Sequence, residues 1–229
     1  MISTDRTLLR LHVEAVWGVR LSPLVSNDLE LVSQSPRPAW KLCVAEIATG
    51  RVHIWRPDAN VAEREGLRLR ADEALAFPPI VTTIAGVSRE VALSQIAAPR
   101  LDIATARSIA RPLTLEDHEL IEQFFQPGDS LEDNTHPLIG VVVAGRLLCL
   151  AHSSRRTSEA CELGIETLPE ARRRGYALAA TILWAHTVTQ EGLVPIYSAF
   201  AENTPSLRLA DAAGYRPFAR IATFKEDTL

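Results

Sequence analysis

At 229 residues and 25.1 kDa, with 47% hydrophobic and 23% charged residues, the chain has the composition of one large folded domain or an ordinary domain with a smaller companion. Its net charge of −4 and sequence pI of about 5.9 argue against nucleic acid or an anionic membrane as the main partner. No apolar run approaches the ~18 residues of a spanning helix, no signal-type core follows Met1 to Arg6, and Cys43, Cys149 and Cys161 are too scattered for a disulfide framework or a thiolate zinc site, so a cytoplasmic protein is expected.

Charge is uneven along the chain: residues 1–110 hold 13 Lys/Arg against 12 Asp/Glu, and residues 111–229 hold 11 against 16. In the first half, Trp40 to Ile47 and Arg51 to Trp55 are β-rich runs joined across Ala48-Thr49-Gly50, which predicts a hairpin. Ala62 to Ala76 is rich in Glu, Arg, Leu and Ala and predicts a helix. Ser88 to Ile96 predicts a shorter helix, capped by Ser88 with Glu90 in its first turn. Breaks are expected at Pro78-Pro79 and around Ala98-Pro99-Arg100.

The second half is better punctuated. Thr114 caps a helix with acids in its first turn and Leu120, Ile121, Phe124 and Phe125 as its apolar stripe. Leu138 to Val143 and Leu147 to His152 form a second hairpin across Ala144-Gly145-Arg146, and Cys161 to Leu168 is a further strand ending at Pro169. The two hairpin turns resemble each other, which a shared turn preference explains more cheaply than duplication. Gly175 to Gln190 predicts a helix without a formal charge, hence buried on most sides. Val194 to Ala201 follows as a strand, then a helix from Thr204-Pro205 to Gly214, then a strand from Arg216 to Phe224. This order predicts a mixed sheet covered by helices.

The informative stretch is Glu162-Leu163-Gly164-Ile165-Glu166-Thr167-Leu168-Pro169-Glu170-Ala171-Arg172-Arg173-Arg174-Gly175-Tyr176-Ala177. A strand runs into an Arg-rich loop that opens a helix, with the spacing R-x-x-G-x-A over Arg172, Gly175 and Ala177. Such a loop turns backbone N–H groups toward one point at a helix N-terminus, where the dipole favours an anion. Gly175 permits close approach, Ala177 avoids crowding, and the guanidinium groups add forks for phosphate oxygens. Strand alternation puts Glu162, Gly164 and Glu166 on one face. Either carboxylate facing a ligand could take a proton, or be a solvated strand residue.

The segment resembles the acyl-CoA site of the GNAT superfamily of N-acetyltransferases, whose signature is Q/R-x-x-G-x-G/A after a strand. Pro195 to Phe200, then Asn203-Thr204-Pro205-Ser206, then Ala213-Gly214-Tyr215 are similar to that superfamily's strand, Asn-x-x-Ser/Ala, helix and Gly-Phe/Tyr. The resemblance covers about residues 111–220 and implies an α+β fold, a GNAT-like mixed β-sheet flanked by helices. Residues 106–229 would be the acetyl-CoA-binding domain, and residues 1–105 an N-terminal α/β extension packed on the acceptor side or a degenerate GNAT-like half. It further implies a V-shaped gap between the strand ending at Leu168 and the strand starting at Val194. Pantetheine would pair with backbone near Glu166, Thr167 and Leu168, and the pyrophosphate would lie over Arg172, Arg173, Arg174, Gly175, Tyr176 and Ala177. Asn203 and Ser206 would complete the cofactor side. The implied reaction is direct attack of a primary amine on acetyl-CoA, with Glu166 or Glu162 as base and the Leu168 N–H stabilising the oxyanion. The family's usual acid, a Tyr seven residues beyond the Asn, is Ala210 here; Tyr197, Ser198 or water would have to replace it. A non-catalytic acyl-CoA binding or sensing module is therefore the alternative. The implied partners are a small-molecule or peptide amine, with a homodimer allowed and neither nucleic acid nor membrane involved.

Other candidates carry less. The six histidines lack ligand spacing, and no metal is expected. His152 reads as a structural strand-end residue, Cys149 and Cys161 as buried apolar ones, and Ser153-Ser154 has no nucleophile-elbow context. Trp17, Trp40 and Trp55 read as core. The acidic stretch Glu116, Asp117, Glu119, Glu122, Asp129, Glu132 and Asp133 reads as a solvated face.

Overall fold

A computed structural model describes residues 4–22, 26–32, 35–75, 84–125 and 135–226. The Pro78-Pro79 break and Asp129, Glu132 and Asp133 lie outside the described residues. The chain forms two compact units. One comprises Met1–Ser94, Ser198–Thr204 and Pro217–Leu229; the other comprises Gln95–Tyr197 and Pro205–Arg216.

The first unit contains helix α1 (Thr4–Trp17), strands β1 (Asp28–Glu30), β2 (Trp40–Ile47) and β3 (Gly50–Trp55), helix α2 (Val61–Leu75) and strand β4 (Val87–Gln95). It also receives most of the last strand, β10 (Tyr215–Lys225). The strand order is β1-β3-β2-β10-β4, with β1 parallel to β3 and β2 antiparallel to both its neighbours. The β2–β3 hairpin closes with Ile47 opposite Gly50, whose φ of +118° is open only to glycine.

Both faces of this sheet carry buried apolar clusters. Leu9 and Val13 of α1 pack with Cys43, Ala45, Ile47, Ile54 and Ile221. Leu67, Ala71, Ala74 and Leu75 of α2 pack with Leu42, Val44, Trp55 and Phe224. The apolar residues of α2 recur at helical spacing. Its start is fixed by a reciprocal cap, the Glu63 amide donating to Asn60 Oδ1 at 3.0 Å and the Asn60 amide to Glu63 Oε2 at 2.9 Å.

The helix expected over Ser88 to Ile96 is a strand, β4. Glu90, Ala92 and Leu93 favour a helix locally, but Ala92, Leu93 and Ser94 are buried in a strand that lies beside β10. Tertiary pairing overrides a weak local preference.

The second unit holds α3 (Ile103–Ile109), β5 (Arg111–Pro112), a 3-10 turn at Leu115–Asp117, α4 (His118–Phe124), β6 (Ile139–Val143), β7 (Arg146–Arg156) and β8 (Ala160–Thr167). A 3-10 turn at Pro169–Ala171 leads to α5 (Tyr176–Gln190), then β9 (Val194–Phe200) and α6 (Thr204–Ala212). Here the order is β9-β8-β7-β6-β5, antiparallel except for the parallel β8–β9 pair. The β6–β7 turn sets Ala144 and Gly145 at φ of +49° and +75°, the mirror-image geometry suited to a two-residue hairpin.

Helix α5 is apolar almost all round and is correspondingly buried from Ala179 to Ala185, with the Trp184 indole N–H donating to Ser153 Oγ at 3.3 Å. Thr114 caps the Leu115–Asp117 turn in a reciprocal box with Asp117. Phe124 is buried among Leu113, Leu138, Leu147 and Leu150, with Leu120, Ile121 and Phe125 packed alongside. The architecture is thus α+β, a mixed sheet flanked by helices. No helix among the described residues is long and apolar enough to cross a membrane.

Candidate active site

Strand β8 has two unlike edges. Against β7 it is paired from Cys161 to Thr167; against β9 only Ala160, Cys161 and Glu162 are paired, with Val194, Pro195 and Ile196. Among the described residues, Leu163 to Thr167 have no strand partner on that second edge. A bulge in β7 between Ser153 and Arg155 lies beside the point where the pairing ends, and a bulge bends and twists its surroundings.

The Leu168 amide donates to the Leu148 carbonyl at 3.0 Å, on the β7 side. It is therefore turned away from the free edge, and the oxyanion role expected of it is corrected on that ground. Because N–H and C=O directions alternate along a strand, the free edge presents the amides and carbonyls of Ile165 and Thr167. The Arg172 Nε–H donates to the Thr167 carbonyl at 3.4 Å.

Beyond β8, Ala171 is buried and anchors the turn, whereas Arg172, Arg173, Arg174 and Gly175 are exposed. Arg173 and Gly175 both take left-handed conformations, with φ of +61° and +82°. Gly175 is the N-cap of α5, with no side-chain cap, and a Cβ built on it would meet nothing within 4 Å. The first helical bond runs from the Ala179 amide to the Gly175 carbonyl at 3.1 Å. The N–H groups of Tyr176, Ala177 and Leu178 therefore lack intrahelical acceptors and point out of the helix end. None of the three arginines is in an ion pair among the described residues. Open amides, the helix dipole and three guanidinium groups make a cradle suited to a diphosphate.

One face of β8 carries Glu162, Gly164 and Glu166. Glu162 is held, with Ser154 Oγ donating to its Oε2 at 3.2 Å, while Glu166 is exposed. Between them, His152 of β7 stands directly opposite Gly164, and a Cβ on Gly164 would collide with the imidazole. The ring thus lies across β8 in space that only glycine leaves. Its Nδ1 is buried without a partner, and burial pushes its pKa below the usual histidine value. His152 is a mid-strand residue of the site face; the signal that could have found it is its register with Gly164, which needs the pairing. A cavity of about 220 Å³ opens beside Glu166, walled by Phe124, Phe125, Leu168 and Pro169 and reaching Arg172.

The remaining candidates lie on β9, α6 and the turn between them. Ser206 Oγ lies 2.9 Å from the Tyr197 hydroxyl, on the strand residue that follows the last β8–β9 pair. Burial raises the Tyr197 pKa. Asn203 belongs to the first unit, its amide donating to the Phe200 carbonyl at 2.9 Å. Ala210 is fully buried. Burial pushes the Cys149 thiol up to about 11 and raises Cys161 as well, which suits inert packing groups better than nucleophiles. Among the described residues no cluster of His, Cys, Asp or Glu could hold a metal ion.

Among curated proteins, none matches the chain. Solved structures do. An acetyltransferase of the GNAT family from Colwellia psychrerythraea is 14% identical, with 76% of this chain and 75% of that chain covered at a TM-score of 0.51. A GCN5-related N-acetyltransferase-like protein from Streptococcus suis 89/1591 is 13% identical, with 96% and 97% covered at 0.50. A GNAT-family protein from Novosphingobium aromaticivorans DSM 12444 is 24% identical, with 65% and 68% covered at 0.49. At these identities the likeness to the Colwellia and Streptococcus proteins is one of fold. The family profile described as GNAT acetyltransferase matches residues 104–221, a span that takes in the half-paired strand, the arginine turn and the open helix end. That match covers more than half of the 229 residues, and the chain belongs to the GNAT acetyltransferase family.

Proposed function

We propose that this protein is an acetyl-CoA-dependent N-acetyltransferase that acts on a primary amine, small molecule or peptide, in a ternary complex. The observation that carries this reading is the continuity of the free β8 edge with the open amides of α5. An extended pantetheine can pair with Ile165 and Thr167 as a strand would. Its diphosphate then meets the helix end, Gly175 and Arg172 to Arg174. Acetyl-CoA supplies the activated acyl group. The chain's part is to fix the thioester at the strand edge and bring the amine to it, which removes much of the entropic barrier.

In the reaction the amine nitrogen forms a bond to the thioester carbonyl carbon, and the carbon–sulfur bond breaks. An edge amide of Ile165 or Thr167 is placed to donate to the carbonyl oxygen as charge develops. Glu166, exposed on the face beside the cavity, takes the ammonium proton directly or through water. Glu162, held by Ser154, orients that face. The second proton that the nitrogen loses as the amide forms passes through water or the Tyr197–Ser206 pair to the departing thiolate, since Ala210 is buried and offers no group. The three free, buried cysteines accord with a reducing, cytoplasmic setting.

The test is to mix purified protein with acetyl-CoA and a panel of amines while following free thiol. Amine-dependent thiol release is expected, and Glu166→Gln should lower turnover about a hundredfold while leaving coenzyme A affinity nearly unchanged. Ala210 favours one other reading, a binding or sensing module. Tight coenzyme A binding with no thiol release on any amine would establish that reading instead.

A further inference from the structure

We infer that the cavity beside Glu166 receives the acceptor, and that this acceptor is a primary amine borne on an apolar arm. The inference rests on the acetyltransferase reading and adds the substrate class. The cavity measures about 220 Å³. An apolar space of about 150 Å³ already accommodates a benzene ring, so an arm of several carbons or a ring on a short tether fits. Its walls are divided: Phe124 and Phe125, which meet edge to face with centroids 5.6 Å apart, form an apolar side with Leu168 and Pro169, and Glu166, Thr167 and Arg172 form a polar one. Among the described residues one carboxylate lines it, Glu166. Glu119 and Glu122 of α4 are exposed and outside the lining.

This arrangement selects by charge count and by surface. One carboxylate and aromatic faces suit a single ammonium. A polyamine or a polyamino sugar would place further cations against Phe and Leu with no partner, a desolvation loss. The cavity also touches Arg172, whose positive charge opposes an incoming cation. A phosphate on Arg172 removes that opposition, so the amine binds well only after the cofactor.

The experiment measures kcat/KM for linear primary amines from methylamine to hexylamine, with 2-phenylethylamine and spermidine, at saturating acetyl-CoA. The expected result is a rise of up to about fourfold per methylene until the cavity is filled. Spermidine should fall at least about tenfold below hexylamine, and Phe125→Ala should flatten the length series while coenzyme A affinity is retained. If Phe125→Ala melts too low to assay, Phe125→Leu should flatten the series in part. A flat series in the wild type, preference for spermidine, or loss of coenzyme A affinity in Phe125→Ala overturns the inference and leaves the acetyltransferase reading standing. No turnover on any amine overturns that reading instead. Calorimetric titration of hexylamine and methylamine into the coenzyme A-bound protein then decides the cavity alone: affinity growing with length keeps it as an apolar-amine site, and equal or absent binding removes it.

Discussion

Strands β2 and β8 are both eight residues long and both lie inside sheets, yet they spend their hydrogen bonds differently. Strand β2 is paired along most of its length on both edges, with β3 and with β10, and both its faces are buried under α1 and α2. Strand β8 is paired along one edge and, among the described residues, leaves five residues of the other without a strand. A fully paired, doubly covered strand can contribute only stability, because no backbone group or face remains for anything else. A half-paired strand forgoes some of that stability and keeps a row of donors and acceptors for a ligand. Substitutions near β2 should therefore be read in unfolding curves, and substitutions near β8 in binding and turnover.

The largest effect is expected at Phe224, which stands opposite Leu42 in the β2–β10 register and is fully buried. Phe224→Ala should cost about 3–5 kcal/mol in urea unfolding, with coenzyme A affinity of the folded fraction unchanged. A weakened affinity in that fraction would break the contrast between the two strands.

Next is His12, fully buried, with neither ring nitrogen hydrogen-bonded and its pKa pushed by burial down to about 4. The unfolded chain takes up a proton near pH 6.5 that the folded chain refuses until about pH 4. Stability is therefore complete above pH 6.5 and falls by about 3 kcal/mol as pH drops through that window. His12→Leu should abolish this acid limb in unfolding titrations. If the limb persists, another group is responsible.

At the β8 end the sign of the experiment reverses. Gly175→Glu should weaken coenzyme A binding roughly hundredfold in calorimetry, because it sets a carboxylate against the diphosphate and loses charge-assisted bonds of about 1.5–3 kcal/mol. Gly175→Asn, which tolerates the left-handed region, should do much less. Unchanged affinity in the Glu variant would refute the proposed site. Gly164→Ala is the smallest change and the sharpest test of the site face. It must displace His152 and should cost about 1–3 kcal/mol, unlike a substitution on an ordinary strand face. A silent Gly164→Ala would show the imidazole free to move aside.

Much of this was legible in the sequence where local chemistry decides the outcome. The β2–β3 hairpin, the Thr114 cap, the charge-free α5 and the glycine at its mouth are each set by residues within a few positions of one another. The arginine turn and the open helix end were legible likewise, since amides and arginines there belong to one short segment. What escaped depends on partners distant in sequence. Strand β4 carries helix-favouring residues and is a strand through its neighbour. Helices α1 and α3 carry no strong start signal beyond Asp102 at the head of α3. The orientation of the Leu168 amide follows from its bond to Leu148, and the placing of His152 from its register with Gly164.

Strands β9 and β10 each begin in one compact unit and end in the other. A fragment beginning near residue 106 would keep the arginine turn and α5 but hold Ala219 to Phe224 with β2 gone. Those residues, Ile221 and Phe224 among them, would become a sticky ribbon seeking any other backbone. Trimming this chain to its motif-bearing half should therefore yield inclusion bodies, and shuffling that half between relatives will succeed only when the final strand travels with the strand it was made to meet.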